Sequence, residues 1–369
     1  MIKKARILTL AICLVLVILS PVGVQAQDGL VISDSSAEAE FPVRLNFTLS
    51  AESNVNITDI RLHYSIDRAS FAQVTSEVSI EFVPKTTVDV TWALEMVRIG
   101  GLPSESSVEY WWTVKDTNGN RTETTSAQVR FDDTRYSWQG LTEGEVTLYW
   151  YEGKQSFAQE IMATAQQALV RLVEDTGAEL EKPVKIHIYA DSRDLQGAMI
   201  FPQEWTGGVA FTRHGIIAIG IAPDNLDWGK RAVAHELTHL VIHQMTFNPY
   251  GNLPTWLNEG LAMFAEGPLE PIFISLLNNA IAKDSLISVR SLASPFSAYA
   301  EESTLAYAQS HSLVEFLISN YGQDKILELL NTFREGSSYD GALNKVYGFD
   351  MDGLSNLWRD YATMPAQLS

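Results

Sequence analysis

Two histidines four residues apart, with a glutamate directly after the first, stand in Ala234-His235-Glu236-Leu237-Thr238-His239-Leu240. On a helix, residues i and i+4 lie one above the other, so both imidazoles can reach one metal ion. Glu236 leaves the same helix off the two-histidine line, where it can take a proton from an activated water without becoming a ligand. A tetrahedral catalytic zinc needs a third protein ligand and one open position. Glu259, 20 residues beyond His239 in Trp256-Leu257-Asn258-Glu259-Gly260-Leu261-Ala262, is the natural candidate. The set is then His235, His239 and Glu259 around Zn2+ with Glu236 as general base, and the chemistry is hydrolysis. An HExxH string arises by chance in a chain of this composition about once in a hundred, so its surroundings must be weighed as well.

Those surroundings are helical. Val233, Leu237, Leu240 and Val241 recur at helical spacing around the motif, and Pro254 followed by Trp256, Leu257, Leu261, Ala262, Phe264 and Ala265 predicts a second, buried helix that carries Glu259 inward. A charged glutamate inside an apolar helix is costly unless something pairs with it, which argues against a merely solvated Glu259. Upstream, Phe157 to Thr176 has Ile161, Ala165, Ala168, Leu169 and Leu172 on one helical face and reads as core. Val184 to Tyr189 and Gly215 to Gly220 read as strands of a sheet packed on the motif helix. Gly207 to Thr212 is either an edge strand able to pair with an extended peptide or one arm of an ordinary hairpin.

HELTH followed by WLNEGLA resembles the gluzincin branch of the zinc metallopeptidases, which includes thermolysin and the aminopeptidase N-like enzymes, and most of all its bacterial peptidase MA-like members. The resemblance covers Ser137 to Ala362. It implies His235, His239 and Glu259 as zinc ligands, Glu236 as base, and an α+β, thermolysin-like peptidase domain with a helical C-terminal lobe. The segment Leu305 to Ser312 is similar to the one that supplies an oxyanion-stabilising tyrosine in such proteins, which makes Tyr307 the candidate for that role; a packed aromatic at a helix start is the alternative. Tyr250, Tyr299, His243 and His311 are further candidates, and Asn258 is a candidate to orient a ligand. The Gly-Ala-Met-Glu-Asn signature of the aminopeptidases is missing, which puts aminopeptidase activity in doubt; an endopeptidase is the expectation, with endo versus exo cleavage left open by the sequence.

The remaining sequence sets the context. Lys3, Lys4 and Arg6, the apolar run Ile7 to Leu19 and Val24-Gln25-Ala26 compose a secretory signal peptide over residues 1–26, with an uncleaved anchor as the alternative. Export to the cell envelope or beyond is the expectation. The single cysteine, Cys13, falls inside that segment, so neither a disulfide nor a cysteine nucleophile is available afterwards. Removing residues 1–26, with three basic residues and no acidic one, takes the formal charge from −19 to −22, which excludes nucleic acid and anionic membranes as natural partners.

Residues 27–134 form the first of two expected domains, ahead of a peptidase domain over 135–369. Val43 to Thr48, Ile60 to Ser65, Val88 to Trp92 and Val108 to Val114 alternate with period two and predict an antiparallel sandwich, weakly similar to immunoglobulin or fibronectin III modules. Such a module serves as a spacer or binds a partner. Trp111 and Trp112 point to opposite faces of one strand, so one belongs to the core. After Glu259, residues 272–282, 310–321, 325–333 and 354–361 predict a helical bundle, with loops at 336–341 and 348–352. Two functions of different class follow: a zinc peptidase acting on extended peptides, or a non-catalytic envelope scaffold that keeps the fold and works through its sandwich.

Overall fold

The computed structural model describes residues 29–67, 73–203, 206–297 and 299–363. The expected signal segment lies outside the described residues. No helix among them is long and apolar enough to cross a membrane.

The N-terminal region is an antiparallel sheet of seven strands: β1 (Val31–Glu40), β2 (Arg44–Ile66), β3 (Thr75–Ser79), β4 (Lys85–Glu95), β5 (Ser106–Asp116), β6 (Arg121–Glu123) and β7 (Ala127–Phe131). Two runs that the sequence offers as separate strands are halves of the 23-residue β2. Its first half pairs with β1 and β4, its second with β3 and β5, and the register shifts between Glu52 and Ile57. Hydrogen bonding therefore joins all seven strands into one sheet through β2, and this pairing does not establish two separate immunoglobulin-type sheets. Both halves of β2 turn apolar residues inward, where Phe47, Leu49, Ile60 and Leu62 are fully buried with Trp112. Trp111, on the other face, stacks on His63 at 5.2 Å.

The second region opens with β8 (Gln139–Glu143), β9 (Val146–Trp150), α1 (Gln155–Thr176), β10 (Val184–Tyr189), α2 (Ser192–Gln196), β11 (Gly208–Phe211) and β12 (Ile216–Gly220). The sheet order is β11-β12-β10-β9-β8, with parallel pairing at β10 and antiparallel strands at both edges. Strand β12 is buried throughout, as a central strand covered on both faces must be. Helices α1 and α3 (Leu226–Thr246) share one apolar core with this sheet. The helical lobe follows as α4 (Thr255–Ala265), α5 (Pro271–Ala282), α6 (Val289–Leu292), α7 (Ala300–Tyr321), α8 (Gln323–Arg334), α9 (Tyr339–Tyr347) and α10 (Met351–Ala362).

Two expectations shift here. Helix α7 starts at Ala300, so Tyr307 sits two turns inside it rather than at its opening. Helix α9 begins within the expected loop 336–341, because the Ser338 hydroxyl accepts from the Gly341 N–H and turns a Ser-Tyr-Asp-Gly stretch into a capped helix start.

Candidate active site

Helix α3 presents His235 and His239 to α4, and α4 returns Glu259. The two Nε2 atoms stand 3.1 Å apart, and Glu259 Oε2 is 3.6 Å from His235 Nε2 and 3.4 Å from His239 Nε2. A tetrahedral zinc with bonds near 2.0–2.1 Å needs neighbouring ligand atoms about 3.3–3.4 Å apart, so the three residues fit the ion. They are the only such His/Cys/Asp/Glu group among the described residues. Their apex opens into a cleft of about 1010 Å3, lined by β11, α3, α4, the Phe296 loop and α7.

The depth of Glu259 is set one residue later. A Cβ on Gly260 would lie 2.4 Å from the Ser310 carbonyl oxygen and 2.7 Å from Val314 Cγ2 of α7, so only glycine allows this approach of α4 and α7. Burial works against the charged carboxylate, but the neighbouring His239 and His235 hold its pKa well below the ordinary value.

His235 is oriented from behind, by residues that sequence reasoning missed. Its Nδ1 is 2.7 Å from Glu266 Oε1, and Glu266 is paired in turn with Arg231 at 3.0 Å. Burial disfavours a charged His235, yet hydrogen bonds to Glu259 and Glu266 outweigh it and push the imidazole up to about 10. The signal was available in the spacing: Glu266, the C-cap residue of α4, is two turns past Glu259, and Arg231 is one turn before His235 on α3. A carboxylate behind a ligating imidazole fixes its tautomer and its aim. His239 differs, since its buried Nδ1 has no hydrogen-bond partner among the described residues.

Glu236 lies against β11. The Ala210 N–H bonds to its carboxylate, and a Cβ on Gly208 would meet its Oε1 at 2.7 Å. Burial raises its pKa, opposed by His235 and His239. Strand β11 pairs with β12 on one side and lines the cleft with the other.

Tyr307 also lines the cleft, its ring centroid 6.5 Å from that of His235 and edge-on to Phe296 at 5.1 Å. Burial, and then Glu259 and Glu236, push its phenol above the ordinary tyrosine value, so it remains an O–H donor. His243 and Asn258 line the cleft without joining the ligand triangle. His311 packs behind α4, its ring 5.7 Å from Phe264 and its pKa pushed down to about 4 by burial. Tyr250 and Tyr299 are 95% and 76% exposed and stand outside the described lining.

The family model described as Peptidase MA superfamily matches residues 164–364, a span that takes in α3, α4 and α7. The chain belongs to the Peptidase MA superfamily. No curated protein matches it in sequence. Among solved structures, this Peptidase MA member is similar to the M1 zinc metallopeptidase of Deinococcus radiodurans at 13% identity, with 93% of this chain and 96% of that one covered and a TM-score of 0.37. It is similar to aminopeptidase A of Legionella pneumophila at 11%, with 90% and 49% covered and a TM-score of 0.42. For OgpA of Akkermansia muciniphila the identity is 7% and the TM-score 0.22; the match takes 29% of this chain and spans 28% of the length of OgpA.

Proposed function

We propose that this protein is an exported zinc endopeptidase. The observation that carries the reading is the triangle of His235 Nε2, His239 Nε2 and Glu259 Oε2, with sides of 3.1, 3.6 and 3.4 Å, facing an open cleft with Glu236 half-buried beside it. A bound zinc ion supplies Lewis acidity, lowering the pKa of a water and polarising the scissile carbonyl. Glu236 accepts the proton of the attacking water and delivers it to the departing amine. Tyr307 donates its O–H to the oxygen on which negative charge develops. The free edge of β11 receives the substrate backbone as an added strand, which selects extended peptide.

The lining also supports internal cleavage. Among its described residues there is no lysine or arginine to hold a terminal carboxylate, and its two carboxylates, Glu236 and Glu259, have other tasks. Elemental analysis of the purified protein should give one zinc per chain, lost in His239→Ala and Glu259→Ala. Glu236→Gln should retain zinc and hydrolyse quenched peptides at least ~10²-fold more slowly. Peptides blocked at both ends should be cleaved as fast as free ones. Equal hydrolysis by wild type and Glu236→Gln would defeat the mechanism, and dependence on a free terminus would defeat the endopeptidase reading. Export is tested separately: the first residue of the protein recovered outside the cell should be Gln27.

A further inference from the structure

The segment leading from α2 to β11 is caught between two cores. Ala198 and Met199 pack on the cluster of Tyr189, Leu195 and Ala218 in the peptidase sheet. Ile200, the next residue, packs instead on the core of the N-terminal sheet. It does so beside Gly101, whose φ of +92° is left-handed and whose Cβ, if present, would stand 3.3 Å from Ile200 Cγ1. The start of the segment is tied as well: Arg135 Nη1 donates to the Gly197 carbonyl at 2.8 Å. Arg135 is itself held by the buried Asp133 carboxylate through bonds of 2.9 and 2.7 Å, and the Tyr189 hydroxyl donates to the same carboxylate at 3.1 Å.

Beyond Ile200, Gln203 and Thr206 are bonded to each other: Gln203 N–H donates to Thr206 Oγ1 at 3.1 Å and Thr206 N–H to the Gln203 carbonyl at 3.0 Å. Strand β11 then begins with no clearance beneath it. A Cβ on Gly207 would stand 2.8 Å from the Trp228 ring, and one on Gly208 2.7 Å from Glu236 Oε1. Movement toward α3 is therefore blocked by contact. Movement away is resisted by pairing with β12, by the Ala210 bond to Glu236, by packing of Val209 and Phe211 on the same Tyr189, Leu195 and Ala218 cluster that holds Ala198 and Met199, and by what holds Ile200. A four-residue edge strand with one partner is a weak element alone, so its anchor matters.

We infer that Ile200 is a positioning residue through which the N-terminal sheet sets the placement of β11 over Glu236, and so of the substrate backbone that pairs with β11. This rests on the proposed binding of peptide along β11. The N-terminal sheet is then part of the working peptidase rather than a detachable spacer.

The test compares Ile200→Ser and the conservative Ile200→Val with wild type, all zinc-loaded, by two readouts. In amide hydrogen exchange, Ile200→Ser should speed exchange across Gly208 to Phe211 by about 10-fold or more, with α3 and the N-terminal strands unchanged, and Ile200→Val should match wild type. In kinetics on a peptide long enough to run along β11, Ile200→Ser should raise KM about 5- to 10-fold with kcat within about 2-fold, the pattern of lost binding without lost chemistry. Zinc content should be equal in all three. Unchanged β11 exchange, or acceleration spread evenly over the N-terminal sheet, would overturn the inference and leave Ile200 as adhesion between two modules. The exchange readout needs no turnover, so failure of the peptidase reading and failure of this one are told apart.

Discussion

Gly260→Ala is a change of one methyl group whose effect can be worked from the packing of α4 on α7. The new Cβ would lie 2.4 Å from the Ser310 carbonyl oxygen. An ordinary carbon–oxygen contact is about 3.3 Å, so the helices must separate by ~0.9 Å. The blocking atom is backbone, so no rotamer change can relieve the clash. Overpacking of this kind costs about 1–3 kcal/mol of stability. The functional consequence follows from what each helix carries: Glu259 directly precedes Gly260 on α4, and Tyr307 is one turn before Ser310 on α7. Metal bonds tolerate errors of about 0.2 Å, so a shift of α4 should weaken zinc at least ~10-fold. If α7 yields instead, zinc holds and kcat falls as Tyr307 retreats. The assay is zinc affinity by chelator competition together with kcat. Leu343→Ala in α9 serves as control, since its cavity should cost about 2–5 kcal/mol while leaving both quantities alone. Unchanged affinity and unchanged kcat in Gly260→Ala would refute the claim that this helix contact sets the site.

Glu266→Gln should weaken zinc about 10- to 100-fold at constant kcat for the loaded enzyme, because it removes the charged acceptor behind His235; equal affinity by chelator competition would count against that role. Tyr307→Phe should lower kcat about 10²-fold with zinc content and KM preserved, and a kcat within 2-fold of wild type would return Tyr307 to plain packing. His187 is buried between Trp138 and Tyr149, and burial holds its pKa down at about 4. The folded form thus binds fewer protons than the unfolded chain between pH 6.5 and 4, and stability is lost as pH falls through that window. From pH 7 to 5 this one group should cost about 2 kcal/mol, so His187→Phe should lose about that much less than wild type in urea unfolding at the two pH values. An identical loss in both proteins would contradict the burial argument.

The His235, His239 and Glu259 cluster, our proposed zinc site, was legible because helical geometry leaves little freedom. His235 and His239 share a face by spacing alone, and Glu259 is a charge in a helix too apolar to carry one without a partner. Strand β12 was legible because a covered strand must be apolar throughout, and β10 because Val184, Ile186 and Ile188 alternate with Lys185, His187 and Tyr189. Strand β1 was not, since its Val-Ile-Ser-Asp-Ser-Ser-Ala-Glu-Ala-Glu offers the core only Ile32 and the small Ala37 and Ala39, and the rest of its hold comes from pairing with β2. Helix α9 hid behind turn residues that turned out to be its cap.

What escaped at the site has a common cause. Glu266 bonds His235 directly and Arg231 acts through Glu266, and neither residue type in isolation signals such a chain between two helices. Gly260 and Ile200 act by where they let backbone lie, and sequence records such a role only as a small or an apolar residue. A pattern of ligands can be read from residue types because zinc dictates those types. The distances that make it a site are set by helix and strand contacts, at Gly260 for α4 and, on our inference, at Ile200 for β11. Substitutions at those two positions should therefore separate the chemistry, which the motif encodes, from the placement, which the packing supplies.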